Sequence, residues 1–227
     1  MTKEKKNKSK IAIIGYGNIG QTVAANLIKN NRPVILTGRD FAKAKLLSEK
    51  MGNLAQPMEI GAAIKEADII ILAVWFDSIK TLFYEYEAVL HGKIIVDPSN
   101  PIAPDGKGGF AKKIGQNESA GQLNAELLPK SAKLAKALGT LSAASLAGSS
   151  NQKPEPAVLF YATDDTSING EIEELIRDTG FEPLRIGGID QSIRIEVFGD
   201  LHEFGALGKI VTLQEAKKKT ESGVLAQ

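Results

Sequence analysis

The chain has 227 residues, 43% hydrophobic and 24% charged, the balance of an ordinary globular protein with length enough to bury a core. A formal net charge of +1 provides no global field for nucleic acid or a membrane surface. There is no cysteine and there are only two histidines, His91 and His202, so disulfides, thiolate nucleophiles and cysteine metal sites are excluded, and no metal centre is expected.

Residues 1–10 are basic and polar and are expected to form a disordered tail. The apolar run Ile11–Ile14 is too short for a signal peptide, and no run approaches the ~20 apolar residues of a membrane span. A soluble, cytoplasmic protein is therefore expected. From Ile11 the chain passes through an apolar strand, three glycines at G-x-G-x-x-G spacing (Gly15, Gly17, Gly20) and a helical apolar period to Ile28. Each glycine has a task in a strand–turn–helix unit that binds a dinucleotide. Gly15 permits the sharp turn, Gly17 lets the backbone approach a pyrophosphate, and Gly20 lets helix and strand lie close. The amides of Tyr16, Gly17, Asn18 and Ile19 then face the phosphates at the positive end of the helix.

A strand is expected at 34–37, a helix at 41–51, a short strand within 53–58 and a helix at 59–67. The unbroken apolar run of Asp68–Val74 suits a parallel strand buried on both faces. A helix at 77–90, with His91 at its C-cap, and a strand at 93–97 complete the alternation of a Rossmann-type, doubly wound, mostly parallel sheet. The Pro- and Gly-rich stretch 97–109 reads as a loop without a regular ladder. It fails as a calcium loop because Gly108 falls where a bidentate glutamate is needed. Beyond it come a helix at 119–136, strands at 137–144 and 157–162, a helix at 169–179 ended by Gly180, and a strand at 181–186. An amphipathic helix from Asp190 to about Lys209 and a fraying tail from Lys217 are expected last. The organisation expected is a tail at 1–10, a nucleotide-binding α/β domain at 11–150 and a small C-terminal α/β extension at 151–227.

The second strand ends Thr37-Gly38-Arg39-Asp40. NAD enzymes usually place an acidic residue here for the adenosine ribose. An Arg fork instead suits a phosphate dianion, which a carboxylate repels. With the Thr37 hydroxyl and Lys43 as added contacts, NADP(H) is expected over NAD(H), although Asp40, one residue further on, could still reach the ribose. At the carboxyl edge of the sheet, Ala73, Val74 and Trp75 should face the nicotinamide end, with Asn100 near the carboxamide or the substrate. No acid–base dyad is apparent, so no catalytic side chain is assigned. Hydride transfer between planar rings needs chiefly near-attack geometry. His202 is read as packing a partner helix or as lining a substrate pocket.

Gly15-Tyr-Gly-Asn-Ile-Gly20, the Gly38-Arg39 strand end, Ala73-Val-Trp75, Asp97-Pro-Ser-Asn-Pro101, Ala137-Leu-Gly-Thr140 and Asp190-Gln-Ser192 together resemble the NADPH-dependent coenzyme F420 reductase family. The cytosolic domain of the STEAP metalloreductases looks similar. The resemblance covers nearly all of the chain after the tail. It implies a pyrophosphate on the first motif, a 2′-phosphate on Arg39 and Lys43, and a deazaflavin in a cleft formed with the C-terminal segment. The chain departs from the family pattern at Tyr16, where a small residue is usual, at Trp75, where a proline is usual, and in a longer loop after Asp97. These departures lie near the acceptor.

The function expected is hydride transfer between NADP(H) and a deazaflavin or flavin-like acceptor, with F420 the first choice. A small imine or keto substrate, or a non-catalytic NADPH sensor, are the alternatives. A homodimer through the sheet edge or the last helix is possible on this pattern.

Overall fold

The computed structural model describes residues 8–223. Strand β1 (Ile11–Ile14) leads through the glycine loop into α1 (Asn18–Lys29), followed by β2 (Val34–Thr37), α2 (Phe41–Met51), β3 (Ala55–Pro57), α3 (Ile60–Glu66) and β4 (Ile69–Leu72). Then come α4 (Phe76–Leu90), β5 (Ile94–Asp97), the short β6 (Ile102–Pro104) and β7 (Phe110–Lys112), α5 (Ala120–Glu126) and β8 (Lys133–Ala137). The chain finishes with α6 (Ala143–Ser149), β9 (Val158–Ala162), α7 (Asn169–Asp178), β10 (Glu182–Arg185), a 3₁₀ segment over Ile189–Ile195 and α8 (Leu213–Gly223).

Eight strands form one sheet in the order β10-β9-β8-β5-β4-β1-β2-β3, and β6 and β7 form a separate antiparallel pair. Every neighbouring pair in the large sheet is parallel except β8–β9. The doubly wound α/β fold is thus as expected from the alternation. β1, β2 and β4 are buried at every residue, which is why they read as unbroken apolar runs. The chain goes from β1 to β2 and β3 on one side, then crosses to β4 on the other. A crevice therefore opens at the carboxyl ends of β1 and β4, the switch point where ligands bind in such sheets.

Several expected elements differ from those observed. The helix expected over 119–136 stops at Glu126, and residues Lys133–Ala137 form β8 in place of the strand expected at 137–144. Pro129 explains the break, since it can neither donate to a helix nor tolerate the carbonyl four residues before it. The stretch 97–109 is not free of ladder: Ile102–Pro104 pairs with residues 110–112, and the Asp105 carboxylate accepts from the amides of Lys107 (2.7 Å) and Gly109 (2.9 Å) to hold the turn between them. Pro104 sits at the end of a two-stranded pair, where its missing N–H costs little.

The amphipathic helix expected over 190–209 is the 3₁₀ segment followed by turns. Two of its glycines, Gly199 and Gly205, are points of close backbone approach. A Cβ on Gly199 would lie 2.3 Å from the Ile193 carbonyl oxygen, and one on Gly205 only 1.8 Å from that of Gly199. The polar groups of this segment anchor it elsewhere, as described below. The last helix, α8, runs from Leu213 to Gly223, across most of the tail where fraying was expected, and residues 224–227 lie outside the described residues. Thr212 N donates to Glu215 Oε2 at 3.0 Å, the reciprocal half of a capping box. Of the expected tail, residues 1–7 lie outside the described residues. Lys8 is held by Asp178 at 2.7 Å, and Lys10 N donates to Asp68 at 2.8 Å.

Candidate functional site

The glycine loop behaves as its spacing requires. Gly15 has φ +105°, and a Cβ there would lie 2.2 Å from the carbonyl oxygen of Ala73. A Cβ on Gly20 would lie 2.1 Å from the carbonyl oxygen of Gly15. These two glycines pack loop, helix and β4 together. Gly17 differs: nothing in the protein comes within 4 Å of a Cβ placed there. It is the N-cap of α1, with no side chain capping the helix and no acidic residue in the first turn. The open face at Gly17 and the uncapped amides of Asn18 and Ile19 therefore form a cradle for an anion.

At the end of β2, Thr37 is fully buried, and its Oγ1 has no protein partner. Arg39 is exposed. Asp40 is the N-cap of α2 and accepts from Lys43 N at 3.1 Å, while Lys43 Nζ pairs with its carboxylate at 3.4 Å. These contacts, the Lys43 amide first, hold the Asp40 carboxyl below its ordinary range. The carboxylate is thus committed to its own helix, and Arg39 is the cation presented at the strand end. Tyr16 closes the gap between loop and strand. Its hydroxyl donates to the Asp40 carbonyl at 3.1 Å and accepts from the Asp40 amide at 3.2 Å.

Ala73 and Val74 lie against the glycine loop, with Val74 Cγ1 3.0 Å from a Cβ placed on Gly15. Trp75 occupies the N-cap position of α4 with 62% of its surface exposed, at the carboxyl edge of β4. Asn100 is placed differently from a side chain reaching into open space. Its Nδ2 donates to the Gly139 carbonyl at 3.0 Å, and its Oδ1 accepts from Val197 N at 2.7 Å. It therefore ties the loop after β5 to the turn after β8 and to the C-terminal segment.

Beneath that loop is a buried polar cluster that sequence reasoning missed. Lys136 Nζ donates to Asp97 Oδ2 at 2.9 Å and to the carbonyl of Ser99, and it lies 3.7 Å from Glu196 Oε1. Asn124 Nδ2 also donates to Asp97 Oδ2, at 2.9 Å, and Ser99 N donates to Asp97 Oδ1 at 2.7 Å. The Glu196 carboxylate accepts from the amides of Ala120 (3.0 Å) and Gly121 (2.9 Å) at the start of α5. Burial pushes the Glu196 carboxyl up, against the pull of Lys136 and those two amides. Glu203 repeats the arrangement on α6, accepting from Ser142 N and from Ser145 Oγ (2.6 Å). Two carboxylates from one irregular segment thus anchor it to two helix starts. The available signal was Pro129, which denies Lys136 a helix and moves it onto a strand beside Asp97.

His202 is buried. Its Nε2 lies 3.1 Å from the Gly139 carbonyl oxygen, and its Nδ1 accepts from Phe204 N at 3.0 Å. That pair of contacts assigns a neutral ring with the proton on Nε2, and burial lowers its pKa. It packs the turn after β8. His91 caps α4 as expected, with Nδ1 3.3 Å from Ser131 Oγ. Among the described residues there is no cluster suited to a metal ion, and no helix long and apolar enough to cross a membrane.

Fold, glycine loop and open α1 amides define a dinucleotide-binding α/β protein. Residues 10–101 match the family described as NADP oxidoreductase, coenzyme F420-dependent, which bears out the resemblance over that stretch. Among solved structures, a hypothetical protein of Sinorhizobium meliloti is 27% identical, with a TM-score of 0.78 over 90% of this chain and 95% of its own. A candidate F420-dependent NADP-reductase of Arthrobacter sp. FB24 is 22% identical, with a TM-score of 0.69 over 81% of this chain and 87% of its own. A pyrroline-5-carboxylate reductase of Coxiella burnetii is 20% identical, with a TM-score of 0.62 over 96% of this chain and 78% of its own. The last two share the fold. The chain spans 25% and 18% of the lengths of two curated relatives that it matches.

Proposed function

We propose that the protein is an NADP(H)-dependent oxidoreductase that exchanges hydride with a deazaflavin or flavin-like acceptor, coenzyme F420 being the first choice. The observation that carries the nucleotide half is the division of labour at the end of β2. Asp40 accepts from the Lys43 amide in the first turn of α2 and pairs with Lys43 Nζ, which offsets part of its charge, while Arg39 faces solvent. The residues present fit NADP(H). Gly17 and the first amides of α1 would hold the pyrophosphate, Arg39 with Lys43 the 2′-phosphate, and Ala73, Val74 and Trp75 the nicotinamide end. The bound nucleotide supplies the hydride.

The chain's own contribution is placement and exclusion of water. Asn100, held at both ends of its amide, fixes the loop after β5, and the exposed Trp75 offers a flat apolar face at the carboxyl edge of the neighbouring strand β4. The C-terminal segment bearing Val197, tied to Asn100, would supply the remaining wall of an acceptor site. Reduction of a small imine or keto substrate is the second reading. It is favoured by the likeness in fold to the pyrroline-5-carboxylate reductase, but residues 158–185 here form strand, helix and strand within the sheet.

The test is turnover. Purified protein is mixed with NADPH and, separately, F420, FMN, FAD, ferric iron or a cyclic imine, and absorbance is followed at ~340 nm. Loss of absorbance with F420 or a flavin supports the reading. Turnover with the imine alone favours the second, and nucleotide binding without turnover favours a sensor.

A further inference from the structure

We propose that Tyr16 is a positioning residue that presets the Gly38–Asp40 turn for the anionic end of the nucleotide, coupling the pyrophosphate loop to the 2′-phosphate site. The inference rests on the nucleotide half of the proposed function. The Gly15 amide already joins the loop to Thr37 at the end of β2, at 2.8 Å, and Tyr16 extends that link past the strand end to Gly38 and Asp40. Its backbone lies inside the glycine loop, where its carbonyl accepts from Gln21 Nε2 at 2.7 Å. Its phenol reaches the end of β2 and grips Asp40 by both backbone groups, a use of one hydroxyl as donor and acceptor together.

The ring covers Gly38 along the way. A Cβ on Gly38 would lie 2.5 Å from Cε1 and 3.0 Å from Cδ1 of Tyr16, so the glycine is the residue that admits the ring. Gly38 has an ordinary backbone conformation, and no positive φ calls for glycine there. The requirement is steric and comes from Tyr16. Arg39 is then the one residue of the turn left exposed, between a neighbour flattened under a ring and a neighbour pinned at its amide, carbonyl and carboxylate.

A turn held in this way pays its ordering entropy on folding. A phosphate reaching Arg39 then meets a backbone already placed, and affinity rises because less freedom is lost on binding. NADH lacks the 2′-phosphate and gains little from the same device, so Tyr16 acts on the discrimination between the two nucleotides.

The experiment measures Kd for NADPH and NADH, by fluorescence titration, in wild type, Tyr16→Phe, Gly38→Ala and the pair Tyr16→Ala and Tyr16→Ala/Gly38→Ala, with folding checked by circular dichroism. Tyr16→Phe keeps the ring over Gly38 and removes the hold on Asp40. It is expected to weaken NADPH at least fivefold and NADH less than twofold. Gly38→Ala should weaken NADPH in the wild-type background and add nothing in the Tyr16→Ala background, where the ring it strikes is gone. Equal losses for both nucleotides in Tyr16→Phe, or additive losses in the double variant, overturn the inference while leaving the proposed function standing. A wild-type protein without preference for NADPH overturns both.

Discussion

The Asn100 side chain donates to the Gly139 carbonyl at 3.0 Å, and the His202 ring reaches the same oxygen at 3.1 Å. One carbonyl thereby joins the loop after β5, the turn after β8 and the C-terminal segment. Gly139 has to be glycine for this, since a Cβ would lie 2.3 Å from the Pro98 carbonyl oxygen. Asn100→Ala removes both of its bonds and leaves Val197 N without its acceptor. The expected loss is about 1–3 kcal/mol of stability. Urea denaturation measures it, and a loss below about 0.5 kcal/mol would mean that the clamp contributes nothing.

Lys136 holds two carboxylates in a space almost closed to water, with side-chain exposures of 3% for itself, 0% for Asp97 and 3% for Glu196. Lys136→Met should cost about 3–5 kcal/mol, because it strands buried negative charge. Adding Glu196→Gln removes one of the stranded charges, so the double variant should recover part of that loss in the same denaturation assay. No recovery would place the loss at Asp97 and in packing rather than at Glu196.

The sequence made the nucleotide half legible because local rules govern it. The period of Ile11–Ile28, the three glycines and the apolar run at 68–74 each point to one structure, and each is present. The C-terminal third was read less well because long-range contacts overrule local period there. Residues 190–209 carry apolar positions at helical spacing, yet Glu196, Glu203 and His202 are drawn to α5, α6 and Gly139 instead. No window of sequence shows those partners. Two signals could have been read locally: Pro129 inside the expected helix and the capping box of Thr212-Leu-Gln-Glu215.

His202 has a depressed pKa in the folded protein, so the unfolded chain binds its proton more readily. The sign follows from linkage: stability is fully present above the unfolded value of ~6.5 and is lost as pH falls through the folded one. Protonation at Nδ1 would also set an N–H against the Phe204 amide that now donates there. Denaturation midpoints taken downward from pH 8 should fall below pH ~6.5, with a slope of at most ~1.4 kcal/mol per pH unit from this group. His202→Gln should remove that component. An unchanged pH profile in the variant would assign the acid sensitivity to other groups.

Arg39→Ala tests the cofactor preference without touching the core, since Arg39 is exposed at the strand end. A charge-assisted bond to a phosphate is worth about 1.5–3 kcal/mol, or roughly 10- to 150-fold in affinity. The expected result is a loss of that size for NADPH and little change for NADH. Equal losses for the two nucleotides would remove the 2′-phosphate from Arg39.

Gly17 and Gly20 separate folding from binding within one loop. Gly20→Ala drives a Cβ to 2.1 Å from the Gly15 carbonyl oxygen, a backbone atom that cannot turn aside. It should destabilise the protein by about 1–3 kcal/mol and lower nucleotide affinity as a consequence. Gly17→Ala meets nothing within 4 Å, and Gly17 has φ −69°, which alanine adopts freely. Its stability should stay within about 0.5 kcal/mol of wild type. Nucleotide affinity should nevertheless fall, because the added methyl stands where the pyrophosphate approaches the α1 amides. Melting and nucleotide titration on both variants check the pair. A Gly17→Ala protein that binds NADPH as well as wild type would place the pyrophosphate somewhere other than this cradle.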